Sequence, residues 1–239
     1  MARIAFRFYQ PISLVKEKIM RIALDGPSGS GKSTVAKSLA KRLGIIYVDT
    51  GALYRTIGLY VRDKGYLRTD IDGIIACLKE ITLGMDFIDG KQIITLNGKQ
   101  IGEEIRTGEI AMYASAVSAV PEVRAFLLET QRKIARENSV VMDGRDIGTV
   151  IIPDAEVKIF MTASAEARAK RRFLELQSKG ENCTYEGVLA DIIERDTNDS
   201  TRKTAPAIPA EDAIFLDNSD LNIDETVERV IEIINTKVK

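Results

Sequence analysis

Gly26-Pro27-Ser28-Gly29-Ser30-Gly31-Lys32-Ser33 satisfies the pattern G-x-x-x-x-G-K-[ST] in full. The apolar run Ile22-Ala23-Leu24 stands just before it. The stretch Ser33–Leu43 after it spaces Val35, Leu39 and Leu43 as one helical face. Strand, glycine loop and helix in that order form a phosphate cradle. The glycines let the backbone curl, so that successive N–H groups point inward at an anion. The helix that follows adds its positive end. Lys32 has the length to reach β- and γ-phosphates, and the Ser33 hydroxyl suits Mg²⁺. The motif specifies nucleotide binding but no reaction.

Further apolar runs follow at Ile45–Val48, Val140–Met142, Val157–Met161 and Ile214–Leu216. Aspartate follows four of the five runs at once, as Asp25, Asp49, Asp143 and Asp217. Aspartate favours turns and helix caps. It also suits the carboxyl edge of a parallel sheet, where such folds place their chemistry. Helical patterns fall between the runs, at Val123–Arg136 after Pro121, at Ala165–Gln177 after Thr162 and Ser164, and at Asp224–Lys237. The alternation predicts an α/β fold, a doubly wound parallel sheet. One stretch departs from it. Leu83–Ile101 reads as strand-turn-strand, with Asp89-Gly90 and Asn97-Gly98 as hairpin turns, and so predicts a small β-rich insertion flanked by helices.

The 239 residues are enough for one large domain with a sizeable core. A net charge of -1 gives no whole-molecule attraction to a nucleic-acid polymer or a membrane surface. No apolar run approaches the roughly 20 residues of a membrane span. Cys77 and Cys183 are isolated and read as free thiols in a reducing compartment. The chain has no histidine, which excludes histidine-based zinc sites and Ser-His-Asp triads. Met20–Gly26 reads as the beginning of a first strand. Residues 1–19 are therefore expected to be a dispensable extension of a domain at 20–239.

The reaction depends on what surrounds the glycine loop. Arg55 and Arg145 each follow a strand end, in Thr50–Arg55 and Asp143–Gly148. A lone arginine there is an ordinary surface charge. Two of them near a phosphate loop suit a second oxyanion, which guanidinium grips through two parallel bonds. Arg168, Arg171 and Arg172 share a helical face. They read either as an exposed basic helix or as a lid, about residues 165–180, ending at Lys179-Gly180. Arg195–Arg202 packs arginine, acid and hydroxyl together ahead of Pro206, as a solvated helix end or a substrate-facing segment.

These segments together resemble the bacterial cytidylate kinase family, from Met20 to about Val238. The resemblance rests on DGPSGSGKST at Asp25–Thr34, DTGALYR at Asp49–Arg55, EIRTGEIA at Glu104–Ala111, DGRDIGTV at Asp143–Val150 and RDTNDSTR at Arg195–Arg202. It implies ATP-dependent phosphorylation of CMP and dCMP to CDP and dCDP, with Mg²⁺, by a cytoplasmic monomer. It implies that Gly26, Pro27, Ser28, Gly29, Ser30, Gly31, Lys32, Ser33 and Thr34 hold ATP and that Ser33 holds the metal. Lys32 with Arg168, Arg171 and Arg172 would be catalytic. Arg55 and Arg145 would hold the acceptor phosphate, and Thr50 belongs with them, a threonine where similar proteins also have serine. Ser115, Arg124, Asp146 and Arg202 would read cytosine, and Arg195 and Asp199 would face the sugar. A monophosphate-binding insertion is implied at 84–102.

The cytosine assignment agrees with hydrogen-bond logic. Asp146 accepts from the amino group of cytosine but repels the corresponding carbonyl of uracil, and Arg124 can donate to N3 or O2. A phosphate acceptor is already a dianion near neutral pH, so in-line transfer needs no strong base. Asp143 is a further candidate for Mg²⁺, through water. Two rivals remain at this level. One is a kinase for UMP, AMP or a metabolite hydroxyl. The other is a GTP-driven switch, for which Asp70-Ile71-Asp72-Gly73 matches DxxG but no [NT]KxD motif occurs.

Overall fold

A computed structural model describes residues 19–237. Residues 1–18 of the expected extension lie outside the described residues. In chain order the elements are β1 (Arg21–Asp25), α1 (Lys32–Leu43), β2 (Ile46–Asp49), α2 (Thr50–Asp63) and α3 (Ile71–Leu78). Then come β3 (Leu83–Ile88), β4 (Lys91–Leu96), β5 (Lys99–Ile101), α4 (Gly108–Ser118), α5 (Pro121–Glu137) and β6 (Val140–Gly144). A π-helical turn, Ile147–Ile151, precedes β7 (Val157–Thr162), α6 (Ala165–Ser178), α7 (Tyr185–Thr201), β8 (Ile214–Asp217) and α8 (Ile223–Lys237). All five apolar runs are strands, and all four helical patterns are helices.

The chain forms two compact units. One is built on Ile45–Val140, the other on Arg21–Gly44 and the chain from Val141 onward. In the first, the β-rich stretch is an antiparallel sheet in the order β3-β4-β5, with Met85 facing Ile94 and Thr95 facing Gln100. Its two turns carry the positive φ angles their sequences predict: Asp89 at 51° and Gly90 at 72°, Asn97 at 50° and Gly98 at 83°. Helices α3 and α4 flank this sheet in the chain. Helix α2 lies against α4 so closely that a Cβ on Gly58 would meet the Cβ of Tyr113 at 3.0 Å.

In the second unit the sheet runs β6-β1-β7-β8. Strand β1 pairs parallel with β7, Ile22 beside Val157, and β7 pairs parallel with β8, Ile159 beside Ile214. Ile22, Ala23 and Leu24 are fully buried, as their unbroken apolar run requires. Helices α6 and α7 form a hairpin around Ala169, Leu176, Val188 and Ile192, with Phe173 and Tyr185 packed edge to face. Each large apolar side chain buried there contributes roughly 1.5–3 kcal/mol to holding the pair together.

Four helices, α2, α3, α4 and α7, had no counterpart in the apolar periodicity. Each begins at a side chain that caps it: Asp49, Asp70, Thr107 and Thr184 accept from the backbone N–H three residues on. Asp70-Ile71-Asp72-Gly73, the weak DxxG match, is thereby the start of a helix, with Asp70 bonded to the N–H of Gly73 at 2.8 Å.

Candidate active site

The glycine loop joins β1 to α1. Gly26 has φ 144°, and a Cβ there would lie 2.0 Å from the carbonyl oxygen of Met161. Only glycine fits between the loop and β7. Gly31 caps α1 without any side-chain bond, and the first turn of α1 holds no acidic residue. The opening N–H groups of α1 thus receive no side-chain cap, which suits them to an anion.

Lys32 is only 5% exposed. Its ammonium donates to the carbonyl of Pro27 and, at 3.1 Å, to the hydroxyl of Ser30. Burial holds its pKa well below the ordinary lysine value; Arg145 adds to the effect, while Asp143, Asp25 and Asp199 oppose it. Ser33 donates its hydroxyl to Asp143 at 2.6 Å. Asp25 is buried and accepts from the N–H groups of Ile147, at 2.8 Å, and Gly148, at 2.7 Å. Burial raises its pKa to about 6, against those two bonds.

Arg145, at the end of β6, donates to Asp199 at 2.8 Å, and Arg202 approaches the other oxygen of Asp199 at 3.8 Å. Burial works against the charge on Asp199, yet Arg145, Arg202 and Arg195 outweigh it and keep the carboxyl below its ordinary range. Asp146, beside Arg145, is 3% exposed. Asp199 is thus the shared counter-anion of an arginine cluster.

The three arginines of α6 separate. Arg168 is buried, donates to the carbonyls of Ala163 and Ser28, and pairs with Asp196 of α7 at 2.6 Å. Arg171 donates to Asn218 and to the carbonyls of Ser219 and Leu221. Arg172 pairs with Glu175 one turn along α6. Two of the three thus reach the glycine loop: Arg168 directly, and Arg171 through Asn218, whose amide donates to the carbonyl of Ser30 at 3.0 Å. Nothing in the sequence pattern marked Asn218.

In the first unit, Asp49 gathers a second group. It caps α2, which carries Thr50 and Arg55, and accepts from Arg106 at 2.9 Å. The Gln92 side chain bonds both the N–H and the carbonyl of Asp49, at 2.7 and 3.2 Å. One residue therefore ties the β-rich insertion and the EIRT segment to the start of α2. Arg124 is buried, donates to the carbonyl of Ser118 at 3.1 Å, and lies over the ring of Tyr54 at 5.5 Å. Ser115 stands one turn before Ser118, whose hydroxyl donates to the Ser115 carbonyl. Gln92, Arg106 and Tyr54 were not singled out from sequence, because spacing along a chain does not show cross-element partners.

Chemically, the second unit offers an anion cradle, an ammonium, a hydroxyl–carboxylate pair and a cluster of arginines around one carboxylate. That set suits phosphoryl transfer between two anionic groups. Among the described residues, no single helix is long and apolar enough to cross a membrane.

A protein-family model described as cytidylate kinase matches residues 22–236. A cytidylate kinase of Thermosipho melanesiensis is 51% identical over 219 residues, 92% of this chain and 98% of that protein. One from Caldicellulosiruptor saccharolyticus is 47% identical over 216 residues, covering 90% and 96%. One from Flavobacterium johnsoniae is 46% identical over 227 residues, covering 93% and 99%. Among solved structures, an uncharacterized protein from Eubacterium ventriosum superposes with a TM-score of 0.50 at 15% identity, covering 91% of this chain and 99% of that one, a likeness of fold. With a family model spanning nearly the whole chain and relatives near half identity over nine-tenths of it, the chain belongs to the cytidylate kinase family.

Proposed function

We propose that the protein transfers the γ-phosphoryl group of ATP in line to CMP and dCMP, giving ADP with CDP or dCDP. The observation that carries this reading is the hydrogen bond from Ser33, on the helix that follows the glycine loop, to Asp143 near the end of β6, the strand that leads directly into Arg145 and Asp146. Family membership supports the choice of acceptor.

In this reading the glycine loop from Gly26 to Gly31 and Thr34 cradle the ATP phosphates. Lys32 leaves its contacts with Pro27 and Ser30 to donate to the β- and γ-phosphates. An ammonium held in a buried place interacts more strongly with phosphate than one in water. Ser33 and Asp143 offer hard oxygen atoms side by side and would hold Mg²⁺, which would supply positive charge to offset that of the phosphates. Arg168, Arg171 and Arg172 neutralise the charge that spreads over the transferring group.

Arg55 and Arg145 take the acceptor phosphate, with Thr50 as a further donor. Ser115, Arg124, Asp146 and Arg202 read cytosine, and Arg195 and Asp199 take the sugar. Asp146 decides the base, since it meets the amino group of cytosine with attraction and the carbonyl of uracil with repulsion. The acceptor oxygen attacks as an anion, and no protein base is required. The working protein in this reading is a cytoplasmic monomer without a membrane or nucleic-acid polymer partner; sedimentation at a mass above 26.4 kDa would contradict the monomer.

The test is a coupled assay with CMP, dCMP, UMP and AMP at fixed ATP. CMP and dCMP should lead in kcat/KM by about a hundredfold or more, the range a hydrogen-bonding site achieves. Equal values for UMP and CMP would refute the role of Asp146.

A further inference from the structure

We propose that Asp25 is a positioning residue for acceptor recognition, capping the Ile147–Ile151 turn from a distant strand and so fixing Arg145 and Asp146 beside the nucleotide loop. The proposal rests on the reading above, in which those two residues meet the acceptor.

The turn needs such a partner. The first N–H groups of any helix lack an acceptor within the helix. A side chain at the preceding residue normally supplies one, but Asp146 provides no cap here. The two N–H groups bond instead to Asp25, one to each carboxylate oxygen, across 122 and 123 residues of sequence. Asp146 is held from the other side as well, since its carbonyl accepts from Val150 at 2.9 Å and Ile151 at 3.2 Å. π-Helical turns of this kind occur often at functional sites.

Ordinary stability does not explain the choice of residue. A buried carboxylate is costly to ionise, and burial raises Asp25 to about pKa 6. Lys32 lies in its field as a favourable charge and Asp146 as an unfavourable one. What the carboxylate offers over a neutral side chain is two acceptors in a fixed plane, and the turn uses both. Gly148 fits this approach: a Cβ there would sit 3.4 Å from Asp25 and 3.2 Å from the Lys158 side chain. Asp25 also directly precedes Gly26, where only glycine fits. The Asp25 carboxylate thus ties the exit of the acceptor segment to the end of β1, the strand that leads into the nucleotide loop.

The experiment compares Asp25→Asn and Asp25→Ala with the unmodified chain. Asparagine has nearly the same shape and keeps one acceptor; alanine keeps none. The expected result is a graded rise in the KM of the acceptor, about tenfold for Asp25→Asn and more for Asp25→Ala, with the KM for ATP within about threefold. In the same folded variants, amide hydrogen exchange at Ile147 and Gly148 should accelerate by about tenfold or more, while Gly29 and Gly31 stay unchanged. An unchanged acceptor KM, an equal rise in both KM values, unchanged exchange at Ile147 and Gly148, or failure of both variants to fold would overturn the proposal. The acceptor panel on the unmodified chain reports separately on the cytidine reading. If it selects another acceptor, the Asp25 comparison is made with that one, and the exchange result is independent of either.

Discussion

Ser33 and Asp143 meet across 2.6 Å, a hydroxyl from the first turn of α1 donating to a carboxylate near the end of β6. They lie 110 residues apart in sequence. The bond brings a hydroxyl and a carboxylate, two hard oxygen donors, side by side.

This pair makes the first prediction. Asp143→Asn keeps the shape but loses the charge, and should lower kcat by about a hundredfold, the scale of one lost charge-stabilising group. It should also raise the Mg²⁺ concentration for half-maximal rate. Ser33→Ala should do the same more mildly. A Mg²⁺ titration of rate at saturating ATP measures both. A response that superimposes on that of the unmodified enzyme would remove the pair from metal binding.

Lys32 gives the second. Lys32→Ala should abolish measurable turnover while the protein stays folded. Lys32→Met keeps most of the volume and removes the charge that burial disfavours, so it should match or exceed the unmodified protein in Tm at pH 7. The pH dependence has a definite sign. With its pKa lowered on folding, Lys32 binds fewer protons folded than unfolded, in the window extending up to its ordinary value of 10.5. The unmodified protein therefore gains stability as pH rises through that window, and any Tm advantage of Lys32→Met should shrink between pH 7 and pH 10. Thermal melts in matched buffers decide it.

The four aspartates that follow apolar runs show how far sequence reading reached. Asp49 caps α2, and Asp217 accepts from the N–H and hydroxyl of Ser219 in a turn, both local roles the residue type implies. Asp143 and Asp25 bond across more than a hundred residues, and no local rule names their partners. The strands were legible because a buried parallel sheet needs unbroken apolar runs. Helix α2 was not, because it is buried on most sides and shows no clean polar face; its Asp49 cap was the signal available. The arginines of α6 were placed correctly on a helix. Spacing could not show that Arg168 reaches Ser28 while Arg171 reaches Asn218, since those contacts depend on how α6 lies on its neighbours.

Asn218 carries the third prediction. It is 1% exposed and joins Arg171 to the carbonyl of Ser30. Asn218→Ala leaves that carbonyl without its donor and Arg171 without one acceptor. The expected cost is about 1–3 kcal/mol in stability. The KM for ATP should rise by about tenfold while the acceptor KM holds within about twofold, because the disturbance enters through the nucleotide loop. Urea unfolding and initial rates measure the two effects. A rise confined to the acceptor KM would contradict the proposed path.

Asp199 carries the fourth. It is the carboxylate around which Arg145, Arg202 and Arg195 gather. Asp199→Ala leaves those cations facing one another in a poorly solvated place, and should cost about 3–5 kcal/mol in urea unfolding at pH 7. Because folding lowers the pKa of Asp199, its contribution is present above the ordinary value of 3.8 and is lost as pH falls through the lower folded value. The gap between variant and unmodified protein should therefore close only in strong acid. An oxyanion can take the place of the missing carboxylate. Inorganic phosphate should then raise the Tm of Asp199→Ala more than that of the unmodified protein, since the variant offers the arginines with their own anion removed. Equal shifts in the two proteins would mean that the cluster does not take up phosphate, and would count against Arg145 as a phosphate ligand.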